Sequence, residues 1–302
     1  MPSGSAVGES WEVADLDATQ TPVNDPCSRV SSGSAAGLRL ADLIASDARA
    51  LLGEVPPVDG RFPLLVKTLD AREHLSIQVH PTEQYARRHL GTTSKTESWL
   101  ILDADPGAVL YLGVRAGVTF TDIRAAAGTP ELPGLLRQVP ARPGSLHHLP
   151  AGVIHALGAG VLAMEVQTAS DTTFRLYDWS REYERAPREL HLDAGLEVVG
   201  ESWHLNVDHR RSMHRVASED GELLVTDAYR IRRVDLHAGA GWASSAGVAR
   251  VVYVEQGWLR GDGLARPLRR GGTVLLPAAW DGRMVTDVST RVIEVVVGAD
   301  AA

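Results

Sequence analysis

The sequence predicts a mainly β chain that folds into two barrels with a small helical insert. Short apolar runs of strand length, such as residues 62–69 and 109–114, are bounded by residues that favour turns. One spacing of Gly and Pro occurs at 144–155 and again at 271–282, which indicates an internal repeat. Helical periodicity occurs at residues 38–52 and between residues 115 and 140.

The length and composition predict one to two domains with a large core. The chain has 302 residues, of which 44% are hydrophobic. We predict a loop-rich N-terminal segment at 1–37, a metal-binding barrel at 38–200 with its helical insert at 115–140, and a second barrel without metal ligands at 219–302.

The charge balance excludes several classes of partner. A formal net charge of -8 and a sequence pI near 5.8 argue against general binding to nucleic acids or anionic membranes, because both depend on clustered Lys and Arg. The single cysteine, Cys27, excludes an internal disulfide, and no signal-like or long apolar run stands at the N-terminus. We expect a cytoplasmic protein with no nucleic-acid or membrane partner, and the sequence predicts no oligomeric state.

The first third of the chain predicts a helix and several strands. Residues 9–13 predict one strand, and residues 38–52, which end before Gly53, predict a helix of about four turns. Residues 62–69 predict a buried strand in which Lys67 is the only charge. The runs 99–102 and 109–114 predict an antiparallel hairpin, because the residues that join them favour turns.

The helical insert and the strands beyond it follow from the same rules. Residues 119–127 and 132–139 predict two helices, with Thr119 or Thr121 as the N-cap of the first. Residues 146–149 and 161–167 predict strands. We expect the insert to form one wall of a pocket.

Four residues on short strand fragments are candidate metal ligands. Gln78 and His80 are two residues apart and therefore share a strand face, and Glu97 stands in a second such fragment. A Pro-Ala-Gly turn at 150–152 aims His155 inward. Each residue alone is more often a surface or core residue, but together they form a nitrogen and oxygen shell that suits Zn2+ and other first-row metals.

The repeated spacing resembles the second motif of the cupin barrels. The stretch 144–155 carries that motif with His155 at its end, and the stretch 271–282 repeats it with Gly282 in the place of the histidine. The resemblance implies two cupin (jelly-roll) barrels, of which the second has lost its metal ligand.

Five segments, in the same order, resemble the type I mannose-6-phosphate isomerases in their short bacterial form. They are FPLLVKTLD at 62–70, LSIQVHP at 75–81, KTESW at 95–99, PAGVIHAL at 150–157 and SDTTFRLYD at 170–178. Residues 188–191 and the C-terminal barrel extend the resemblance more loosely.

The resemblance implies a zinc-dependent isomerase that interconverts mannose 6-phosphate and fructose 6-phosphate through an enediol. The ligands of its one zinc ion per chain would be Gln78, His80, Glu97 and His155. Arg175 would be an essential arginine, a fixed cation that stabilises the enediolate or orients the substrate hydroxyls.

Two residues are candidates for proton transfer. Lys95 shares a predicted strand face with Glu97 and can lose its proton when it is desolvated, so it is our first choice. Asp171 is the second choice and is also a candidate for opening the sugar ring.

Arg181 is the candidate anchor for the phosphate of a sugar-phosphate substrate. It follows Arg175 by six residues, so both side chains would leave the same face of an extended segment. The longer family forms carry a lysine at the corresponding spacing. The alternative is a surface ion pair of Arg181 with Glu182 or Glu184.

The N-terminus departs from the family pattern. Family members usually have a further segment with a Trp-Gly-Gly strand before the element that matches residues 8–11. We expect about 30 residues to be absent here, an estimate that uses ordinary strand and loop lengths.

Two other functions follow as alternatives: an inactive isomerase relic, or a metal-binding cupin that acts as a sugar sensor or an oxygenase. Gln78 and Lys95 suit an iron oxygenase less well.

Overall fold

The structure is a computed structural model that describes residues 8–19, 21–208, 214–216, 220–242 and 247–298. Parts of the predicted segments 1–37 and 219–302 lie outside these residues. The chain divides into two compact units: unit 1 comprises residues 1–10 and 67–216, and unit 2 comprises residues 11–66 and 217–302. The predicted domain boundaries stay predictions.

The described residues confirm the mainly β fold class. The helices are α1 (Leu40–Leu52), α2 (Glu83–Arg88), α3 (Phe120–Ala126), α4 (Leu132–Leu135), α5 (Leu192–Glu201) and α6 (Trp203–Val207). The strands as far as Val216 are β1 (Glu9–Val13), β2 (Leu64–Ala71), β3 (Ile77–Val79), β4 (Glu97–Ala104), β5 (Val109–Val114), β6 (Leu136–Pro140), β7 (Ser145–Leu149), β8 (His155–Leu157), β9 (Val161–Thr168), β10 (Phe174–Tyr177) and β11 (His214–Val216). The later strands are β12 (Gly221–Val225), β13 (Tyr229–Leu236), β14 (Gly241–Trp242), β15 (Arg250–Gln256), β16 (Trp258–Gly261), β17 (Leu268–Arg269), β18 (Thr273–Leu276), β19 (Met284–Val285) and β20 (Thr290–Val297). None of the described helices has the length and apolar character needed to cross a membrane.

Unit 1 is built around two sheets, with strand orders β1-β2-β9-β4-β7-β11 and β10-β3-β8-β5-β6. Apolar side chains from both sheets, among them Ile101 and Leu112, form one buried core. The other face of the five-stranded sheet packs against helices, where Ile77 and Ile154 join a core with Val198 of α5. Since side chains alternate along a strand, Gln78 is directed to the opposite side from Ile77.

Two predicted elements of unit 1 are wrong. The strands β4 and β5 do not form a hairpin, because β4 pairs with β7 and β9 whereas β5 pairs with β6 and β8 of the other sheet. The turn-rich link between them carries the chain from one sheet to the other. The second predicted helix ends at Leu135, and the residues that follow form β6 instead, since the edge of β5 offers backbone partners to an extended chain.

Other predicted elements are confirmed with small changes of boundary. The strand at Glu9–Val13 and the helix that ends before Gly53 are both present. Thr119 is the N-cap of α3: its hydroxyl accepts from the N–H of Asp122 at 3.3 Å, and the Asp122 carboxylate accepts from the N–H of Thr119 at 2.8 Å. Thr121 therefore lies inside the helix.

Unit 2 contains two further sheets, with strand orders β12-β13-β20-β15-β18 and β14-β19-β16-β17. Valine side chains from the first sheet, such as Val252 and Val292, pack with Leu259 and Met284 from the second in one core. The repeated Gly and Pro spacing begins before β18 and ends just before β19, so Gly282 lies in the link that joins strands of different sheets.

Candidate metal centre

Strands from both sheets of unit 1 bring the four predicted ligands together. Gln78 on β3 pairs directly with His155, the first residue of β8, and His80 follows the end of β3. Glu97 is the first residue of β4 in the other sheet. His80, Glu97 and His155 are each no more than 1% exposed, whereas Gln78 is partly buried.

The ligand atoms lie at distances that suit one metal ion. The two Glu97 carboxylate oxygens each lie 3.1 Å from a histidine Nε2, Oε2 from His80 and Oε1 from His155. The Gln78 amide lies beside these atoms, and its nitrogen, which can donate but is not a metal ligand, is 3.2 Å from His155 Nε2. Two ligand atoms bound tetrahedrally at usual zinc distances would be roughly 3.3 Å apart, so the observed spacing is close to that of a metal site.

Backbone carbonyls fix which nitrogen of each imidazole faces Glu97. His80 Nδ1 lies 3.0 Å from the Thr172 carbonyl oxygen, and His155 Nδ1 lies 2.9 Å from that of Val153. Because a carbonyl oxygen only accepts, each Nδ1 carries the hydrogen and donates it. In the neutral ring Nε2 then presents a lone pair, so two lone pairs are directed at one carboxylate.

The centre presents buried polar atoms that a metal cation would satisfy. His80 Nε2 and both Glu97 oxygens are buried without a hydrogen-bond partner in the described part of the chain. Burial, together with the charge of Lys95, lowers the pKa of His80 to about 3, so the ring is neutral near pH 7. Burial would raise the pKa of Glu97, but the charge of Lys95 beside it holds the pKa well below its usual value. A carboxylate and two imidazole nitrogens that share one point fit a divalent metal ion.

A buried chain of alternating charges leads away from the centre. Lys95 Nζ forms an ion pair with Glu97 Oε2 at 2.9 Å and lies 4.0 Å from Glu165 Oε1. Lys67 Nζ lies 3.7 Å from Glu165 Oε1 and 3.0 Å from Glu9 Oε1. The Glu9 side chain is 43% exposed, so the chain of charges runs from solvent to the centre.

The sequence analysis did not assign Lys67 and Glu165 to the site. Burial and the charge of Glu97 raise the pKa of Glu165, and the Trp99 indole N–H donates to it at 2.8 Å. Burial would lower the pKa of Lys67, but the charges of Glu165 and Glu9 raise it above its usual value. The available signal was a single charge in each predicted strand, Lys67 in 62–69 and Glu165 in 161–167.

The predicted proton-transfer residues lie near the ligands. Lys95 is 3% exposed and precedes β4 rather than forming part of it, but its Nζ lies 2.9 Å from Glu97 Oε2, so the two side chains project together as predicted. Its N–H donates to the Pro81 carbonyl at 3.2 Å, which holds it against the end of the His80 segment. Asp171 precedes Thr172, whose carbonyl orients His80, and its charge acts on Lys67.

Arg175 shares the inner face with Gln78. The two residues are directly paired between β10 and β3, and paired residues of antiparallel strands project from the same face. The Arg175 guanidinium donates to the Glu189 carbonyl at 3.4 Å, and its buried Nε has no hydrogen-bond partner in the described part of the chain. Burial and the nearby charge of Arg188 lower its pKa, whereas Asp171 acts in the opposite direction.

The extended segment assumed for Arg181 is not present. The strand β10 ends at Tyr177, and Trp179 then has a φ of 54° in a region of turns. The Arg181 side chain is exposed, and its charge acts on Glu131 and Tyr177. Arg175 and Arg181 therefore do not share one extended segment, and the phosphate-binding role of Arg181 stays a prediction.

Comparisons with known proteins show the family to which this chain belongs. Residues 5–99 match a family model described as the catalytic domain of type I phosphomannose isomerase. Mannose-6-phosphate isomerase ManA of Bacillus subtilis (strain 168) is 34% identical over 276 residues, which are 89% of this chain and 83% of the relative. The chain belongs to the type I mannose-6-phosphate isomerase family.

Another relative and a solved structure also match most of this chain. The putative mannose-6-phosphate isomerase YvyI of Bacillus subtilis is 30% identical over 242 residues, which are 77% of this chain and 74% of the relative. A crystal structure of the mannose 6-phosphate isomerase from Bacillus subtilis matches with a TM-score of 0.76 and 26% identity, over 95% of this chain and 89% of that chain. The cupin fold expected from the sequence is therefore confirmed.

Replacement of a ligand histidine should remove the metal. We expect His80→Ala and His155→Ala to abolish tight binding of a divalent ion, since each removes one lone pair from a centre with few ligands. Elemental analysis of the purified proteins measures this. His148→Ala is the matched control, because it also removes a histidine but one outside the centre. Burial lowers the pKa of His148 to about 4, and its Nδ1 lies 3.0 Å from the Ser98 hydroxyl oxygen. Full metal content in both ligand variants would contradict the assignment.

Proposed function

We propose that this protein is a zinc-dependent mannose-6-phosphate isomerase that interconverts mannose 6-phosphate and fructose 6-phosphate through an enediol. The observation that carries the proposal is the buried group of His80, Glu97 and His155, in which two imidazole lone pairs and one carboxylate converge. The family of the chain and the names of its relatives support the substrate. A cytoplasmic location is part of the same proposal.

Four residues would hold the zinc ion: Gln78, His80, Glu97 and His155. Zinc supplies Lewis-acid stabilisation of the negative charge that develops on the substrate oxygens. Gln78 would bind through its amide oxygen. That oxygen is 3.2 Å from the Ser76 hydroxyl, and turning the amide over directs it at His155 Nε2 while the amide nitrogen can donate to Ser76.

Proton transfer is assigned to Lys95, with Asp171 as the alternative. The isomerisation removes a proton from the carbon next to a carbonyl and returns one to the neighbouring carbon. Lys95 is buried, stands beside a ligand carboxylate and is linked to solvent through the charges of Glu165, Lys67 and Glu9. Asp171 borders the same site, and it is also our candidate for opening the sugar ring.

Arg175 supplies a fixed positive charge on the inner face. Because it projects from the same face as Gln78, it can stabilise the enediolate or orient substrate hydroxyls. Arg181 is proposed to bind the phosphate from the exposed turn after β10.

A coupled assay that follows fructose 6-phosphate formed from mannose 6-phosphate tests the proposed function. The zinc-loaded parent protein should turn over this substrate, and removal of zinc by a chelator should stop turnover until zinc is restored. Zinc binding without turnover would contradict the isomerase assignment and favour a sugar sensor or an inactive relic.

The same assay tests the role of Lys95. We expect Lys95→Met to lower kcat by about 10²–10⁴-fold, as is usual for loss of a general acid or base. The zinc content of the variant is the control, because Lys95 is not a ligand in this proposal. Turnover near that of the parent would transfer the proton-transfer role to Asp171.

Substitution of Arg181 tests the phosphate contact. We expect Arg181→Ala to raise KM for mannose 6-phosphate about ten-fold or more, since a hydrogen bond to a charged group contributes roughly 1.5–3 kcal/mol. Turnover of free mannose should change far less. Arg87→Ala removes an exposed arginine of α2 that pairs with Glu83, and serves as the control. Equal losses for both sugars, or no loss, would exclude Arg181 as the anchor.

A further inference from the structure

The turn that presents His155 is packed against the junction of α5 and α6. Gly152 in this turn has a φ of 91°, and a Cβ atom there would lie 2.4 Å from the Ser202 hydroxyl oxygen. Both observations explain why glycine is required at this position. The Gly152 N–H donates to the His80 carbonyl at 3.0 Å, so the turn also contacts the segment of the other ligand histidine.

Asn206 of α6 binds the backbone of this turn on both sides of Val153. Its side chain is fully buried, and its Oδ1 accepts from the Ile154 N–H at 2.7 Å. Its Nδ2 donates to the Gly152 carbonyl at 2.9 Å and to the Ser202 carbonyl at 3.3 Å. The orientation of the amide is determined by these partners, because an N–H must face an acceptor and a carbonyl must face a donor.

The carbonyl of Val153, held between these contacts, determines the orientation of His155. It lies 2.9 Å from His155 Nδ1 and therefore keeps the hydrogen on that nitrogen. On the far side of the turn, the Gly113 N–H donates to the Ile154 carbonyl at 2.8 Å. The peptide groups on each side of Val153 are thus fixed, so rotation of its carbonyl would break the bonds to Asn206.

We propose that Asn206 is a positioning residue for the metal centre: by binding Gly152 and Ile154 it holds the Val153 carbonyl, which keeps His155 Nε2 directed at Glu97. The inference rests on the zinc site of the proposed function but not on the isomerase reaction. Residues that orient ligand histidines typically change metal affinity by about 10–100-fold when they are replaced.

The test compares Asn206→Ala with Val198→Ala in the full-length chain. Val198 of α5 is fully buried in the apolar layer between the helices and the five-stranded sheet, so its truncation leaves a cavity without removing a hydrogen bond from the turn. The measurements are the thermal midpoint of each metal-free protein and its zinc affinity in competition with a chromophoric chelator. Asn206→Asp, which retains an acceptor for the Ile154 N–H and loses the donor to Gly152, is the second variant if the alanine protein does not fold.

We expect Asn206→Ala, or Asn206→Asp, to weaken zinc binding by about 10–100-fold. Val198→Ala should lower the thermal midpoint and leave zinc affinity near that of the parent. In the cobalt-loaded proteins, the visible spectrum of the Asn206 variant should shift, because the ligand geometry changes. Zinc affinity in the Asn206 variant equal to that of the parent would overturn the inference. It would also be overturned if Val198→Ala, at the same thermal midpoint as the Asn206 variant, lost the same zinc affinity. The test uses no substrate, so a parent protein that does not turn over mannose 6-phosphate leaves the result unaffected. A parent protein that does not bind zinc would overturn the inference.

Discussion

Two imidazole lone pairs directed at one buried carboxylate are the constraint on which the rest of unit 1 depends. His80 and His155 each donate a hydrogen bond from Nδ1 to a backbone carbonyl, so in the neutral ring Nε2 faces Glu97 with a lone pair and cannot donate to it. A buried carboxylate without donors is costly, and the cost is removed only by a cation. The charge of Lys95 supplies part of that compensation, and a divalent ion between the three ligands would supply the rest.

The jelly-roll architecture satisfies this constraint because it brings short strands from two sheets to one point. Glu97 comes from the six-stranded sheet, whereas Gln78 and His155 come from neighbouring strands of the five-stranded sheet. The helices between and after these strands cover the outer face and support the turn that presents His155. The helical layer therefore contributes to the geometry of the ligands as well as to the apolar core.

Local spacing predicted the convergence of the candidate ligands better than it predicted the pairing of strands. Gln78 and His155 could be identified because motif spacing fixes which way each side chain projects over a few residues. The hairpin predicted for β4 and β5 was wrong because turn residues do not determine which strands pair, and here the chain changes sheet. The ion pair between Lys67 and Glu165 also joins residues that are far apart in the sequence. The single charge in each predicted strand therefore gave no indication of its partner.

The most direct test of this account is to locate the metal in the full-length protein by anomalous diffraction at the zinc absorption edge. The account predicts one ion about 2.0–2.2 Å from Nε2 of His80, Nε2 of His155 and a carboxylate oxygen of Glu97. An ion bound only elsewhere in a zinc-loaded crystal, or no ion at all, would contradict it.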